Sequence, residues 1–102
     1  MIIAFKNLNE EEKRKLYELE NENPECSVRE IKESFDGQIV VQLIVPALIE
    51  AAAIIIAALI EKKNKEPEYQ ITINIIVNGN EEKIESEEDL EKAKGQYSQI
   101  GW

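Results

Sequence analysis

The most constraining feature of this sequence is an almost uninterrupted apolar segment of 22 residues, 39–60. Within it, only Gln42, Pro46 and Glu50 are not alanine, valine, isoleucine or leucine. The whole chain has 102 residues and a formal net charge of −9, so such a segment has to be removed from water. Three environments are compatible with it: the protein's own core, a lipid bilayer, or a face shared with another protein.

The energetics of membrane insertion are nearly balanced for this segment, although it is long enough to span a bilayer. Its isoleucine, leucine and valine residues favour insertion by about 0.3–0.6 kcal/mol each, whereas Glu50 near the centre costs roughly 3 kcal/mol. Isoleucines elsewhere in the chain need the same segment as cover. We therefore expect a buried core, with a single-span membrane anchor and a face shared with another protein as the alternatives.

Composition points to one small acidic domain with a modest core. The acids are almost all glutamate, a good helix former, which indicates solvated helix surfaces. The net negative charge argues against direct nucleic-acid binding, because phosphate contacts need lysine and arginine. The negative charge is compatible with a basic partner. Cys26 is the one cysteine, so no internal disulfide forms, and the N-terminus lacks a signal-peptide pattern. We expect a cytoplasmic protein.

Catalytic chemistry is poorly represented in the sequence. There is no histidine, which removes the commonest general base and metal ligand at neutral pH. The four glycines form no phosphate-binding loop, and the glutamate clusters lack the spacing of a calcium loop. Glu50 has two interpretations: a carboxylate with a raised pKa, or a residue that faces solvent or pairs with a lysine or arginine, and the second is favoured. We expect no catalytic residue, cofactor or metal, and hence no enzyme.

The first third of the chain predicts a strand, a helix and a second short element. Residues 2–5 form an apolar run typical of a buried strand. Asn9 followed by Glu12 is a capping box, which predicts a helix over residues 10–20. Residues 27–35 fit either a capped helix or a strand, and we favour the strand because the later strands need neighbours.

Pro46 divides the apolar segment. Residues 46–63 predict a helix with proline in its first turn, whereas residues 38–45 predict either a separate element or a helical segment kinked into the next. The helix has one broad apolar face, and its opposite face carries alanines. Of these, we expect Ala51 and Ala57 to let another element approach closely, so that leucine at either position would overpack.

The last third predicts a hairpin and a helix. Residues 69–77 alternate as a half-buried strand, and Asn78-Gly79 is a strong hairpin signal before a strand at 81–85. Ser86 caps a helix that Gly95 should end. The fold class is therefore α+β, a small mixed sheet in β-α-β-α-β-β-α order packed on a central Ala/Ile-rich helix. Residues 1–95 form one domain, and residues 96–102 are a polar tail ending in tryptophan.

A resemblance to a known family rests on two segments, QLIVPALIEAAAIIIAALIEKKN and YQITINIIVNGNEEKIESEEDLEKA. Together they predict, in this order, a helix rich in small residues, a strand of β-branched residues, a turn, a polar strand and a last helix. This pattern resembles the effector-associated constant component family of bacterial conflict systems, over residues 37–94. The resemblance implies a non-enzymatic accessory that tethers or regulates a separately encoded, peptidase-like effector in anti-phage immunity.

The predicted function is thus an adaptor domain that binds another protein, with its oligomeric state open. Trp102, Tyr97 and Ile100 are candidate partner-binding residues, because aromatic and large apolar side chains are favoured at interface centres. Two alternatives remain beside the membrane anchor. One is an acidic inhibitor or nucleic-acid mimic that binds a basic site, and the other is a modified-peptide precursor with the tail as its core.

Overall fold

A computed structural model describes residues 1–32 and 38–97 of the chain. The elements are β1 (Ile2–Lys6), α1 (Glu10–Glu22), β2 (Ser27–Lys32), β3 (Ile39–Ile44), α2 (Glu50–Lys65), β4 (Thr72–Val77), β5 (Asn80–Lys83) and α3 (Glu87–Tyr97). The strands form one sheet in the order β2-β3-β1-β4-β5. The predicted α+β fold class is confirmed.

The sheet is antiparallel between all neighbouring strands of the described residues, whereas we predicted a mixed sheet. The physical reason is the position of β1. Helix α2 joins β3 to β4, and β1 lies between these two strands and runs opposite to both. The predicted element order also lacked one strand, because β3 was left as either a separate element or a kinked helix. The structure makes it a separate strand.

The apolar segment 39–60 is split between β3 and α2, and both parts contribute to the core. Helix α2 begins at Glu50, four residues later than predicted, so Pro46 lies in the link before the helix and not in its first turn. This link is held by backbone bonds: Val45 N–H donates to the Met1 carbonyl and Leu48 N–H donates to the Tyr97 carbonyl, each at 3.0 Å.

The core lies between the three helices and one face of the sheet. Neighbouring side chains of the central strands meet there: Ile3 pairs with Leu43 and Ile75, and Phe5 pairs with Val41 and Ile73. These residues are almost fully buried. Each such side chain contributes about 1.5–3 kcal/mol through burial. Helix α2 adds the residues that complete the layer: Ala52, Ala53, Ile56, Leu59 and Ile60.

Several local predictions are confirmed. The Asn9–Glu12 capping box is present at the start of α1, with both of its hydrogen bonds at 2.8 Å. The turn between β4 and β5 has positive φ at Asn78 (51°) and Gly79 (82°), the conformation that an Asn-Gly hairpin turn requires. Residues 27–32 form a strand, as favoured; the rest of the predicted element lies outside the described residues.

Helix α3 continues past Gly95, where we predicted its end. The cause is Tyr97, whose side chain is only 8% exposed and whose hydroxyl donates to Glu82 on β5 at 3.0 Å. Packing of this last residue against the core outweighs the tendency of glycine to end a helix. Gln96 and Tyr97 are therefore helical residues and not part of a tail.

Candidate protein-binding surface

Helix α2 is the central helix of the helical layer, with α1 on one side and α3 on the other. Its inner side is buried in the core. Its outer side is also apolar, because Ala51, Ile54, Ile55 and Ala58 follow one another at helical spacing. We call these four residues the outer stripe. Ile54 is 61% exposed, the highest value for any large apolar residue in the described part of the chain.

A cleft of about 390 Å³ lies between α2 and α3. Its floor is apolar and its rim is acidic, because the first turns of both helices begin with glutamate. Such residues favour helix N-termini, where the backbone dipole is positive. The floor consists of Ala53, Ala57 and Leu90, Ile54 forms one side wall, and the rim consists of Glu50, Glu87, Glu88, Glu91 and Lys94.

The rim carries four carboxylates and one ammonium, so its formal charge is −3. The Lys94 ammonium forms an ion pair with the Glu91 carboxylate at 3.6 Å, and the Glu88 carboxylate lies 4.0 Å from the Lys92 ammonium. Glu50 and Glu87 have no ion-pair partner within the described part of the chain. Two uncompensated carboxylates thus stand beside an apolar floor. Glu50 is exposed, as the favoured interpretation predicted.

A second cleft, of about 310 Å³, lies between α1 and α2 on the other side of Ile54. Its charged residues are balanced, because Glu11 and Glu12 are matched by Lys15 and Lys62. Ile54 lines both clefts and forms the ridge between them. A further cleft on the α1 side, of about 290 Å³, lies beside Ala51 and Ile55 and adds Glu18 and Glu22, so the residues lining the α1 side carry a formal charge of −2. The cleft toward α3, at −3, is therefore the more acidic side of the outer stripe.

Glu12 fixes the position of α1 against α2. Its carboxylate accepts a hydrogen bond from the Lys62 ammonium at 3.1 Å, and that ammonium lies 4.4 Å from the centre of the Tyr69 ring. The Tyr69 hydroxyl is buried without a hydrogen-bond partner of good geometry. Burial opposes ionisation of Glu12, but the neighbouring Tyr69 hydroxyl, the Asn9 amide and Lys62 outweigh it and lower its pKa.

Tyr17 links α1 to the edge strand β2. Its hydroxyl donates to the Glu30 carboxylate at 2.6 Å, and the Lys13 ammonium lies 3.5 Å from the same carboxylate. The hydrogen bond to Glu30 raises the pKa of Tyr17 to about 12 and lowers the pKa of Glu30. These contacts hold the helical layer over the edge of the sheet.

Of the three predicted partner-binding residues, Tyr97 lies within the described part of the chain, and it is not on the outer stripe. Tyr97, the last residue of α3, is buried and its hydroxyl donates to Glu82, so its side chain is used within the domain. Ile100 and Trp102 lie outside the described residues, as does the rest of the predicted tail. Sequence reasoning missed Ile54, which belonged to neither predicted face of the helix. An isoleucine surrounded by alanines on the outer face was the available signal.

The described residues contain no group of three or more acidic, cysteine or histidine side chains that could hold a metal ion. Burial raises the pKa of the Cys26 thiol, which makes it less nucleophilic. Within residues 1–32 and 38–97, no helix is both long and apolar enough to cross a bilayer.

Comparison of the chain with family models, with curated proteins and with solved structures finds no match.

Proposed function

We propose that this chain is a non-enzymatic accessory domain that binds another protein through the outer stripe of α2. The observation that carries the proposal is the exposure of Ile54, 61%, on a ridge between two clefts. An isolated exposed isoleucine is common and needs no explanation. Here it is continuous with Ala51, Ile55 and Ala58, and the clefts on both sides can receive side chains from a partner.

The shape of this surface supports a protein partner in particular. The alanines of the outer stripe are small, so a helix or strand can approach the α2 backbone closely. The flanking clefts, of about 390 and 310 Å³, are each large enough to receive more than one side chain. Aromatic or aliphatic anchors that fill such clefts supply most of the free energy at typical interfaces. A peptidase-like effector, the partner class implied by the family resemblance, is the first to test.

Matched substitutions on the two layers test this proposal. Ile54→Glu places a charge on the ridge, and Ile31→Glu places the same charge on the face of the sheet opposite the three described helices, where Ile31 is 37% exposed. Proteins retained by the immobilised wild-type chain from its host are identified by mass spectrometry. We expect a partner retained by wild type and Ile31→Glu to be lost with Ile54→Glu. Equal retention by both variants would refute the outer stripe as the binding surface.

A further inference from the structure

We propose that the partner segment is a cationic amphipathic helix whose lysine or arginine side chains enter the cleft between α2 and α3. The inference rests on the proposed function and names the chemistry of the segment that binds. Its basis is the combination of an apolar floor with a rim of formal charge −3 in one cleft.

Lysine and arginine match this cleft because they combine an aliphatic stem with a charged head. The stem can lie along Ala53, Ala57 and Leu90, while the head remains at the rim in contact with water. There, Glu50 and Glu87 have no ion-pair partner among the described residues, so a cation that arrives need not displace an existing one. A carboxylate or phosphate at the same place would be repelled.

The difference between the two clefts predicts how the partner helix is oriented. Apolar anchors would pack on Ile54 and on the alanines of the outer stripe. The cations would follow along one flank at i, i+3 and i+4 spacing, toward α3, because the cleft there has the largest net negative charge of the clefts along the outer stripe. The partner helix therefore has an apolar face with basic residues concentrated on one side of it.

Two designed peptides test this inference directly. Each is an amphipathic helix of about 18 residues, or five turns, with the same leucine face. One carries lysines along one flank and the other carries glutamines there. We expect the lysine peptide to bind the intact chain about tenfold more tightly at low salt, and the difference to shrink as salt is added. Equal affinity of the two peptides would overturn the inference.

A pair of double variants locates the effect in the cleft. Glu50→Gln with Glu87→Gln removes the two unpaired rim charges, and Glu66→Gln with Glu68→Gln removes two exposed charges from the link between α2 and β4. We expect the rim variant to lose about fivefold or more in affinity for the lysine peptide and the control to lose less than twofold. Equal losses would place the effect in net charge and overturn the cleft assignment.

These results separate the inference from the proposed function. If Ile54→Glu abolishes capture of a host protein while the lysine and glutamine peptides bind equally, the outer stripe is a docking surface but its partner is not cationic. If Ile54→Glu changes neither capture nor the binding of either peptide, both proposals are wrong.

Discussion

Glu12 and Lys62 form an ion pair at 3.1 Å, although they are 50 residues apart in the sequence. The Glu12 side chain is 8% exposed and the Lys62 side chain 35%, so the pair is partly shielded from water. The other carboxylate oxygen of Glu12 accepts the Asn9 N–H at the start of α1. One side chain therefore caps α1 and joins it to the last turn of α2.

Replacing Glu12 with glutamine should destabilise the protein by about 1–3 kcal/mol at neutral pH. Glutamine keeps the size of the side chain and can still serve in a capping box, so the change isolates the loss of the charge-assisted bond to Lys62. Urea unfolding measures the free-energy difference. Glu11→Gln, at an exposed neighbouring position, is the control and should stay within about 0.5 kcal/mol of wild type.

The same pair predicts a pH dependence. Because the folded state lowers the pKa of Glu12 below its ordinary value of 4.5, the ionised carboxylate stabilises the fold at pH values above 4.5. This contribution is lost as the pH falls through the folded-state pKa. The stability gap between wild type and Glu12→Gln should therefore narrow progressively below pH 4.5. A gap that is constant from neutral to acidic pH would contradict this assignment.

Leucine substitution at two adjacent alanines should affect the stability of the fold very differently. Ala52 is 1% exposed against the core, and an added leucine there should cost about 1–3 kcal/mol through overpacking. Ala51 is exposed, so Ala51→Leu should be close to neutral. Our sequence-based expectation that Ala51 lies against another element is wrong, because the helix turns Ala52 and Ala53 inward. Thermal unfolding of the two variants measures the difference.

A second adjacent comparison tests which side of α2 supports the fold. Ile56 is fully buried, and Ile56→Ala should cost about 2–5 kcal/mol because it leaves a cavity in the core. Ile54→Ala on the ridge removes the same atoms from a position that is 61% exposed, so it should change the free energy of unfolding by less than about 0.5 kcal/mol. Similar losses for the two variants would mean that the outer stripe is covered within the monomer.

Alkaline titration of the tyrosines tests the contact between α1 and β2. The hydrogen bond to Glu30 raises the pKa of Tyr17 to about 12, and burial raises the pKa of Tyr69 and of Tyr97. Phenolate absorbance should therefore remain low at pH 10, the ordinary tyrosine pKa. Glu30→Gln should move one tyrosine back toward that value. A wild-type titration centred at the ordinary pKa would contradict the contact.

The features that could be predicted from the sequence are those fixed by local chemistry. Asn9 and Glu12 specify a helix start through hydrogen bonds three residues apart, and Asn78-Gly79 specifies a turn through positive φ. Strand β3 could not be assigned, because a continuous apolar run has no periodicity that separates strand from helix. Its identity depends on pairing with β1 and β2, which are distant in the sequence.

The candidate site was harder to predict than the fold, for a similar reason. Whether Ile54 is covered depends on where α1 and α3 lie relative to α2, and the sequence of α2 alone does not specify this. The end of α3 illustrates the same limit: Gly95 signals a stop, but the fit of Tyr97 between the core and Glu82 carries the helix further.

The most direct test of the central claim is photo-crosslinking in the native host. A photoreactive amino acid replaces Ile54 on the ridge in one strain and Ile31, on the sheet face opposite the described helices, in another. We predict a discrete adduct with one protein from position 54 and none with that protein from position 31. Absence of an adduct at position 54, or the same adduct from both positions, would contradict a docking surface on the outer stripe of α2.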